Sequence, residues 1–464
     1  MNIEETIDAF RCAALDLDCK EMVLRQCADP GEVYRGPGYI RQTPEGALEF
    51  KIYVTARENV RPGASFNARL KGVPGKLYAP ELYYELTAVH RDGTTWTTPR
   101  FIPIFHWDMR DESVLALGQI PSISTALARM AHPDHYMRLH FFDEYVVPPH
   151  RMSPVEQHGG GSLVRDRAEF EACRCKFEVR MREGSGDTVI EATSEASFPP
   201  SFETRIQEAL QYLTGKSAFW RARAVRRGDT VQVELLSPWR KSSNTQLDPP
   251  ISRASIDFHQ HGWALFGKYL DYLVSHTEGP HWNPVAYHLY NAIEASGGSI
   301  DAWAVGVSIA VEALAHLIPA PADKAAAARL GDFQKHLCKI VEALVGFGED
   351  LIHRMKGLIG SMGQKRPQDV LYALAKSGHV DPAYVEAWAA LRNRHVHPKP
   401  KDLKQPRGVD YQELFDSIHR AEVVLRQLTF YLIGYEGSYT DYGAEGFPSK
   451  TFSPRSPVAT PSAG

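Results

Sequence analysis

The feature that most constrains this fold is a change of hydrophobic period near residue 241. Upstream, apolar and polar residues alternate, the pattern of strands that bury one face. Residues 48–56 (LEFKIYVTA) show it. Residues 82–90, 94–105, 136–148, 169–181 and 188–193 are rich in the β-branched and aromatic types that suit strands. Gly, Pro and Asp clusters punctuate them: RPGAS, KGVPGK, RDGT and GSGD. Residues 202–213 read as a helical interruption, and strands resume at 218–226 and 230–236 across an RRGD turn. Downstream, Trp263, Leu265, Phe266, Tyr269, Leu270 and Leu273 recur every three or four residues, as on one buried helical face. Further helices are expected at 284–295, 300–317, 331–347, 367–376, 382–397 and 411–433. Ser299 suits an N-cap, and Pro367 and Pro382 suit first-turn positions.

The stretch 241–255, KSSNTQLDPPISRAS, is polar and carries two prolines, so it reads as a linker. The expected class is α+β: an N-terminal antiparallel, β-rich, sandwich-like domain followed by a C-terminal all-α helical bundle. The expected divisions are a leader at 1–45, a β-rich domain at 46–240, a linker at 241–257, a helical domain at 258–433 and a flexible tail at 434–464. Within the leader, residues 3–27 read as mixed helical.

A chain of 464 residues has room for two or three domains. Its composition, 43% apolar and 23% charged, excludes a collagen-like or globally disordered chain. A net charge of −4 means that any nucleic-acid site must be a local basic patch. The longest near-apolar stretch, 304–320, is broken by Glu312 and His316 and falls short of the ~20 residues that span a bilayer. No membrane association is expected. The opening MNIEETIDAF is acidic and lacks the basic region of a signal peptide, so a cytoplasmic location is expected.

Cysteine and histidine signals are weak. Cys12, Cys19 and Cys27 match no common zinc spacing. Cys173 and Cys175 would share one face of a strand, as free thiols or a weak metal pair. His132, Asp134, His135 and His140 cluster, but His135 and His140 differ by an odd number along a strand and would face opposite ways. Neither a metal nor a cofactor is expected. His158-Gly159-Gly160-Gly161 looks like an oxyanion-hole loop. Its nearest nucleophile candidate, Ser308, lies inside an apolar helix, so a flexible glycine loop is the expectation. Gly215-Lys216-Ser217 looks like the end of a P-loop, but Leu210 stands where the upstream glycine is needed.

The informative segment is Arg392-Asn393-Arg394-His395-Val396-His397, closed by Pro398. At about 100° per residue, Asn393 and His397 sit one turn apart on one helix face, about 40° from each other. Arg392 is long enough to reach round to a shared anion. These types suit RNA cleavage by the substrate's own 2′-hydroxyl. A histidine can move protons near neutrality. An arginine can hold the phosphate and the charge developing on it. An asparagine can orient the imidazole or a phosphate oxygen. The competing reading is simple capping, because basic residues suit the last turn of any helix. A His395-x-His397 metal pair is a further alternative.

The segment resembles the Arg-Asn-x-x-x-His motif of the HEPN superfamily, all-α ribonucleases, toxins and antiphage proteins. Arg392, Asn393 and His397 match it position by position. An earlier helix, Ser308-Ile309-Ala310-Val311-Glu312-Ala313-Leu314, is similar to the Ala-x-Glu-Ala-Leu helix of the ApeA-like antiphage subgroup, which also carries a β-rich domain before the helices. The likeness covers residues 258–433 in pattern and 47–236 in architecture alone. Pro398 stands where relatives often have glycine. The resemblance implies a metal-independent endoribonuclease with Arg392, Asn393 and His397 as catalytic residues. It also implies a homodimer through the helical domain, with two motifs facing one cleft.

Glu312, His395 and Arg394 are candidates for supporting that site, Glu312 by orienting Arg392 or a histidine; the competing role for Glu312 is fold-forming. Lys399, Lys401, Lys404 and Arg407 are candidates for RNA binding, tRNA included. Residues 354–407 hold eleven Lys or Arg against four Asp or Glu. That excess suits a polyanion, or equally a solvated loop. The β-rich domain is expected to sense a phage-derived trigger in abortive-infection defence. Its aromatics Tyr83, Tyr84, Trp96, Phe105 and Trp107 fit ligand stacking, but a β core uses the same residues. The alternative function is a catalytically idle HEPN module that binds RNA or protein, with a ligand-binding β domain.

Overall fold

The upstream alternation resolves into one hydrogen-bonded antiparallel path of strands. The structure, a computed structural model, describes residues 3–454 apart from 61–75, 109, 111, 129–134, 144, 158–159, 182–186, 239–244, 320–323, 345, 364–365 and 397–409. The chain divides into two units. One holds residues 1–210, 218–244 and 278–280, the other 211–217, 245–277 and 281–464.

In the first unit, helix α1 (Ile3–Arg11) precedes β1 (Asp16–Gln26), β2 (Val33–Gln42), β3 (Leu48–Val54), β4 (Ala56–Glu58), β5 (Tyr84–His90), β6 (Thr95–Phe101), β7 (Ile104–Trp107), β8 (Val114–Ile120) and β9 (Ser122–Ala128). There follow β10 (His135–Phe141), β11 (Arg151–Gln157), β12 (Gly160–Ala172), β13 (Cys175–Met181), β14 (Thr188–Ser194), helix α2 (Phe202–Thr214), whose residues from Gln211 onward are assigned to the second unit, β15 (Ala222–Arg227) and β16 (Thr230–Leu236). The sheet order is β11-β12-β13-β14-β10-β15-β16-β9-β6-β5-β1-β2-β3-β8-β7, with β4 paired to β2. Alternation fixes which face is buried. Leu48, Phe50 and Ile52 on β3 point to the core, as do Val231, Val233 and Leu235 on β16. Ile7 and Phe10 of α1 join them. Tyr84 and Trp96 are core residues, and Phe105 and Trp107 pack against that core.

The expected helical leader is a correction. Only residues 3–11 are helical, and β1 and β2 lie in the middle of the strand order. Charged residues in DLDCKEMVLRQ obscure the alternation, yet Leu17, Cys19, Met22 and Leu24 are buried. The step from odd to even positions is a bulge between Cys19 and Met22 that restores the inward face. In β2, Gly36 and Gly38 flank Pro37. A Cβ at Gly36 would lie 1.9 Å from the Tyr53 carbonyl oxygen, and one at Gly38 would lie 2.0 Å from that of Lys51. The close passage of β3 therefore requires glycine at both positions.

Residues 169–181 are likewise not one strand. Cys173 and Arg174, with φ of 51° and 60°, make a two-residue turn between β12 and β13, so Cys173 and Cys175 do not share a strand face. All six cysteines are free thiols. Gly160 and Gly161 begin β12, paired with Gln157 and Glu156, instead of forming a loop. His158 and Gly159 lie outside the described residues, as do His132 and Asp134. His135 and His140 both lie on β10, five positions apart, and so face opposite ways.

The second unit contains α3 (Ile256–Ser275), α4 (Pro284–Ser296), α5 (Ile300–Leu317), α6 (Lys324–Glu342), α7 (Glu349–Ser361), α8 (Pro367–Lys376), α9 (Pro382–His395) and α10 (Tyr411–Ile433). Helix starts follow cap chemistry. Ser255, Asn283, Ser299, Asp381 and Asp410 each accept a backbone N–H of the helix they open. α5 packs against α4, α8, α9 and α10. Among the described residues it is the one helix long and apolar enough to cross a membrane. Its face of Ala304, Val307, Ala310, Val311 and Leu314 is buried in the bundle.

Two further expectations are corrected here. The described part of the linker is packed within this unit: Leu247 and Ile251 are buried, and Arg426 donates to the Asp248 carbonyl at 2.6 Å. Those two apolar residues anchor an otherwise polar stretch. The tail is not loose over its described length either. Gly434, at φ +63°, caps α10, and β17 (Gly437–Thr440) pairs with β18 (Ser449–Phe452). Tyr435, Tyr439 and Phe452 are buried. Asp441, also buried, accepts from Tyr384 at 3.0 Å and pairs with Lys450 at 2.6 Å.

Candidate functional site

The sequence singles out the end of α9, and the structure shows what surrounds it. Asp381 caps the helix and Pro382 opens it. Tyr384, Val385, Trp388 and Leu391 supply the buried face. The helix ends at His395, with Val396 donating its N–H to the Arg392 carbonyl, two residues short of the expected end. His397, Lys399, Lys401, Lys404 and Arg407 lie outside the described residues, as does Pro398.

Arg392 follows Leu391 on the edge of the buried face. Its Nε donates to Glu312 Oε2 at 2.6 Å and its Nη2 to Oε1 at 2.9 Å. This two-bond fork matches the planar guanidinium to the planar carboxylate. It holds the Arg392 pKa above its ordinary value. The two side chains keep 26% and 27% of their surface exposed, so an anion from solvent can reach the guanidinium. One turn earlier, Trp388 donates its Nε1 to the Ser308 carbonyl at 3.1 Å, and the Arg392 guanidinium lies 5.9 Å from the Trp388 ring centre. Ser308 is fully buried and presents no nucleophile.

Asn393 and Arg394 are exposed, side by side with the fork. His395 turns the other way. Its Nδ1 lies 3.1 Å from Asp301 Oδ1 on α5, and its Nε2 is buried without a hydrogen-bond partner. Burial pushes the His395 pKa below 6.5, against the opposing Asp301 carboxylate and together with nearby Arg394. Burial therefore favours the neutral imidazole. The structure thus brings Arg392 and Glu312 together and leaves Asn393 and Arg394 free to meet solvent.

Sequence reasoning missed a second cluster in the same unit. Asp248, His419 and Glu422 converge, each with one ligand-type atom within 4.8 Å of the others. Trp303 on α5 donates its Nε1 to Glu422 Oε1 at 2.7 Å. Burial, reinforced by Asp248, pushes the Glu422 carboxyl above its ordinary range. The signal was present as His419-x-x-Glu422, a pair one helical turn apart. Its third member, Asp248, lies far away in sequence.

Comparison with known proteins adds no assignment: no family model, no curated protein and no solved structure matches the chain.

Proposed function

We propose that this chain is a metal-independent HEPN-type endoribonuclease of the ApeA-like kind, acting in antiphage abortive infection from the cytoplasm. The observation that carries the reading is Arg392, held in a fork by Glu312 of the Ala-Val-Glu-Ala-Leu helix, beside the exposed Asn393 at the end of α9. In this mechanism Arg392 binds the scissile phosphate and stabilises the charge on its oxygens. Asn393 orients an imidazole or a phosphate oxygen. His397, one turn past Asn393 in sequence, moves the protons as the 2′-hydroxyl attacks phosphorus and the 5′-oxygen leaves. The products are a 2′,3′-cyclic phosphate and a 5′-hydroxyl. Glu312 is the positioning residue that aims Arg392. The chain has one copy of the motif, so two chains form one cleft. Lys399, Lys401, Lys404 and Arg407 engage the RNA backbone, and the β-rich unit binds a phage-derived trigger.

The test is incubation of the full chain with total RNA and with tRNA in the presence of EDTA, wild type beside His397→Ala. Cleavage by wild type alone, with cyclic phosphate ends, supports the reading. Equal cleavage by both removes it. A second reading is favoured by the same fork: a guanidinium already occupied by a carboxylate suits an idle HEPN module that binds RNA or protein. RNA retention without cleavage by wild type would select that reading.

A further inference from the structure

The Asp248–His419–Glu422 cluster stands apart from the chemistry proposed above. Its donors are one imidazole nitrogen and two carboxylates, the mixed N/O set that borderline divalent metals take. His419 and Glu422 are three residues apart on α10, so both side chains leave one face of one rigid helix. Asp248 arrives from the segment before α3, and its position is fixed by Arg426, which donates Nη2 to its backbone carbonyl at 2.6 Å. His419 Nδ1 and Asp248 Oδ2 lie 3.0 Å apart. Both atoms are buried, yet neither makes a hydrogen bond of good geometry. Metal–ligand bonds of about 2.0–2.2 Å allow two atoms at that separation to share one ion. Glu422 is 2% exposed, and Trp303 fixes one of its oxygens with a 2.7 Å bond. Such an outer bond is what orients a metal-ligating carboxylate. The ring of Trp303 also stands edge-on to His419, with ring centres 5.6 Å apart, and limits its rotation.

We propose that Asp248, His419 and Glu422 form a site for one divalent transition cation, zinc in the first instance, that ties the segment before α3 to α10. Three protein ligands leave a fourth position for water. The ion's role is to brace the helical unit; it takes no part in RNA cleavage, so the chelator-resistant activity proposed above is unaffected. This departs from the metal-free chain expected from sequence.

The experiment uses the full chain, stripped with chelator and dialysed, then titrated with Zn²⁺ by calorimetry, with elemental analysis of the product. Wild type should take up one zinc per chain, with a melting temperature that rises with zinc concentration. Glu422→Gln, which keeps an oxygen for Trp303, and His419→Ala should bind at least ~10–100-fold more weakly. Circular dichroism identifies which variants are folded, and Asp248→Asn provides a third substitution outside α10. Replacement of zinc by Co²⁺ should give the visible absorption of a four-coordinate site in wild type alone. The proposal is overturned if wild type takes up no zinc, or if folded variants bind it as tightly as wild type.

Discussion

Arg392 and Glu312 are eighty positions apart in sequence and meet through two hydrogen bonds of 2.6 and 2.9 Å. The fork joins the Arg-Asn segment to α5 and leaves both side chains within reach of solvent. A phosphate would compete for the same donors, because carboxylate and phosphate offer the guanidinium similar geometry. Arg392→Ala should lower single-turnover RNA cleavage by about 10²–10³-fold, the cost of losing a charge stabiliser. Glu312→Gln keeps an acceptor for one bond and should cost less than the loss of Arg392 itself. Cleavage by Arg392→Ala at the wild-type rate would remove Arg392 from the chemistry.

His395 should affect stability at mildly acidic pH. Burial lowers its folded pKa beneath the ordinary 6.5, so the neutral ring is the one the fold accommodates. The unfolded chain then binds a proton more readily than the folded one. Stability is held above pH 6.5 and falls as pH drops from there toward the lower folded value. Denaturant midpoints at pH 7.5 and 5.5 measure this. His395→Asn should lose less stability over that interval than wild type. A drop of equal size in both would assign the effect to other groups.

Tyr384→Phe tests the docking of the C-terminal hairpin. Its hydroxyl donates to buried Asp441, which also accepts the Gly443 N–H at 3.0 Å and pairs with Lys450. Loss of the hydroxyl removes one support of a buried carboxylate and should cost about 1–3 kcal/mol. Thermal or denaturant unfolding reads the change. A variant as stable as wild type would mean that Lys450 and the Gly443 N–H suffice.

Gly38→Ala tests the close passage of β2 and β3. The added methyl would meet the Lys51 carbonyl oxygen at 2.0 Å and the Met22 sulfur at 2.7 Å. The sulfur can move; the carbonyl is held in the ladder between β3 and its neighbours. Overpacking of this kind costs about 1–3 kcal/mol. Urea unfolding should show the loss, and Gly357→Ala on α7, which meets no atom within 4 Å and sits at no left-handed φ, supplies the clash-free comparison.

Much of this architecture is legible where local chemistry decides. Ile300–Leu317, Pro367–Lys376 and Tyr411–Ile433 have the expected bounds, because a capping serine or aspartate, or a first-turn proline, marks their starts. β1 was not legible, because its charged residues are spaced around a bulge and its inward face changes parity. The Cys173-Arg174 turn was not legible either, because two non-glycine residues occupy left-handed positions usually marked by Gly or Asn. Glu349–Ser361 has Ile352, Met355 and Ile359 at helical spacing, but Gly357 and Gly360 interrupt the pattern and Leu351 and Leu358 stay exposed. At the candidate site, Arg392 and Asn393 were visible as residue types at helical spacing. Their surroundings depend on α5, which periodicity places as a helix without saying what it faces. Of Asp248, His419 and Glu422, only the pair on α10 has a local signature.

α5 carries four separate attachments along its length: Asp301 to His395, Trp303 to Glu422, the Ser308 carbonyl to Trp388, and Glu312 to Arg392. A helix is stiff along its axis, so these attachments share one displacement. Sliding α5 by a single residue, about 1.5 Å, would disturb all four together. The end of α9 and the buried carboxyl on α10 are therefore geared to the same shaft, and neither can be repositioned alone.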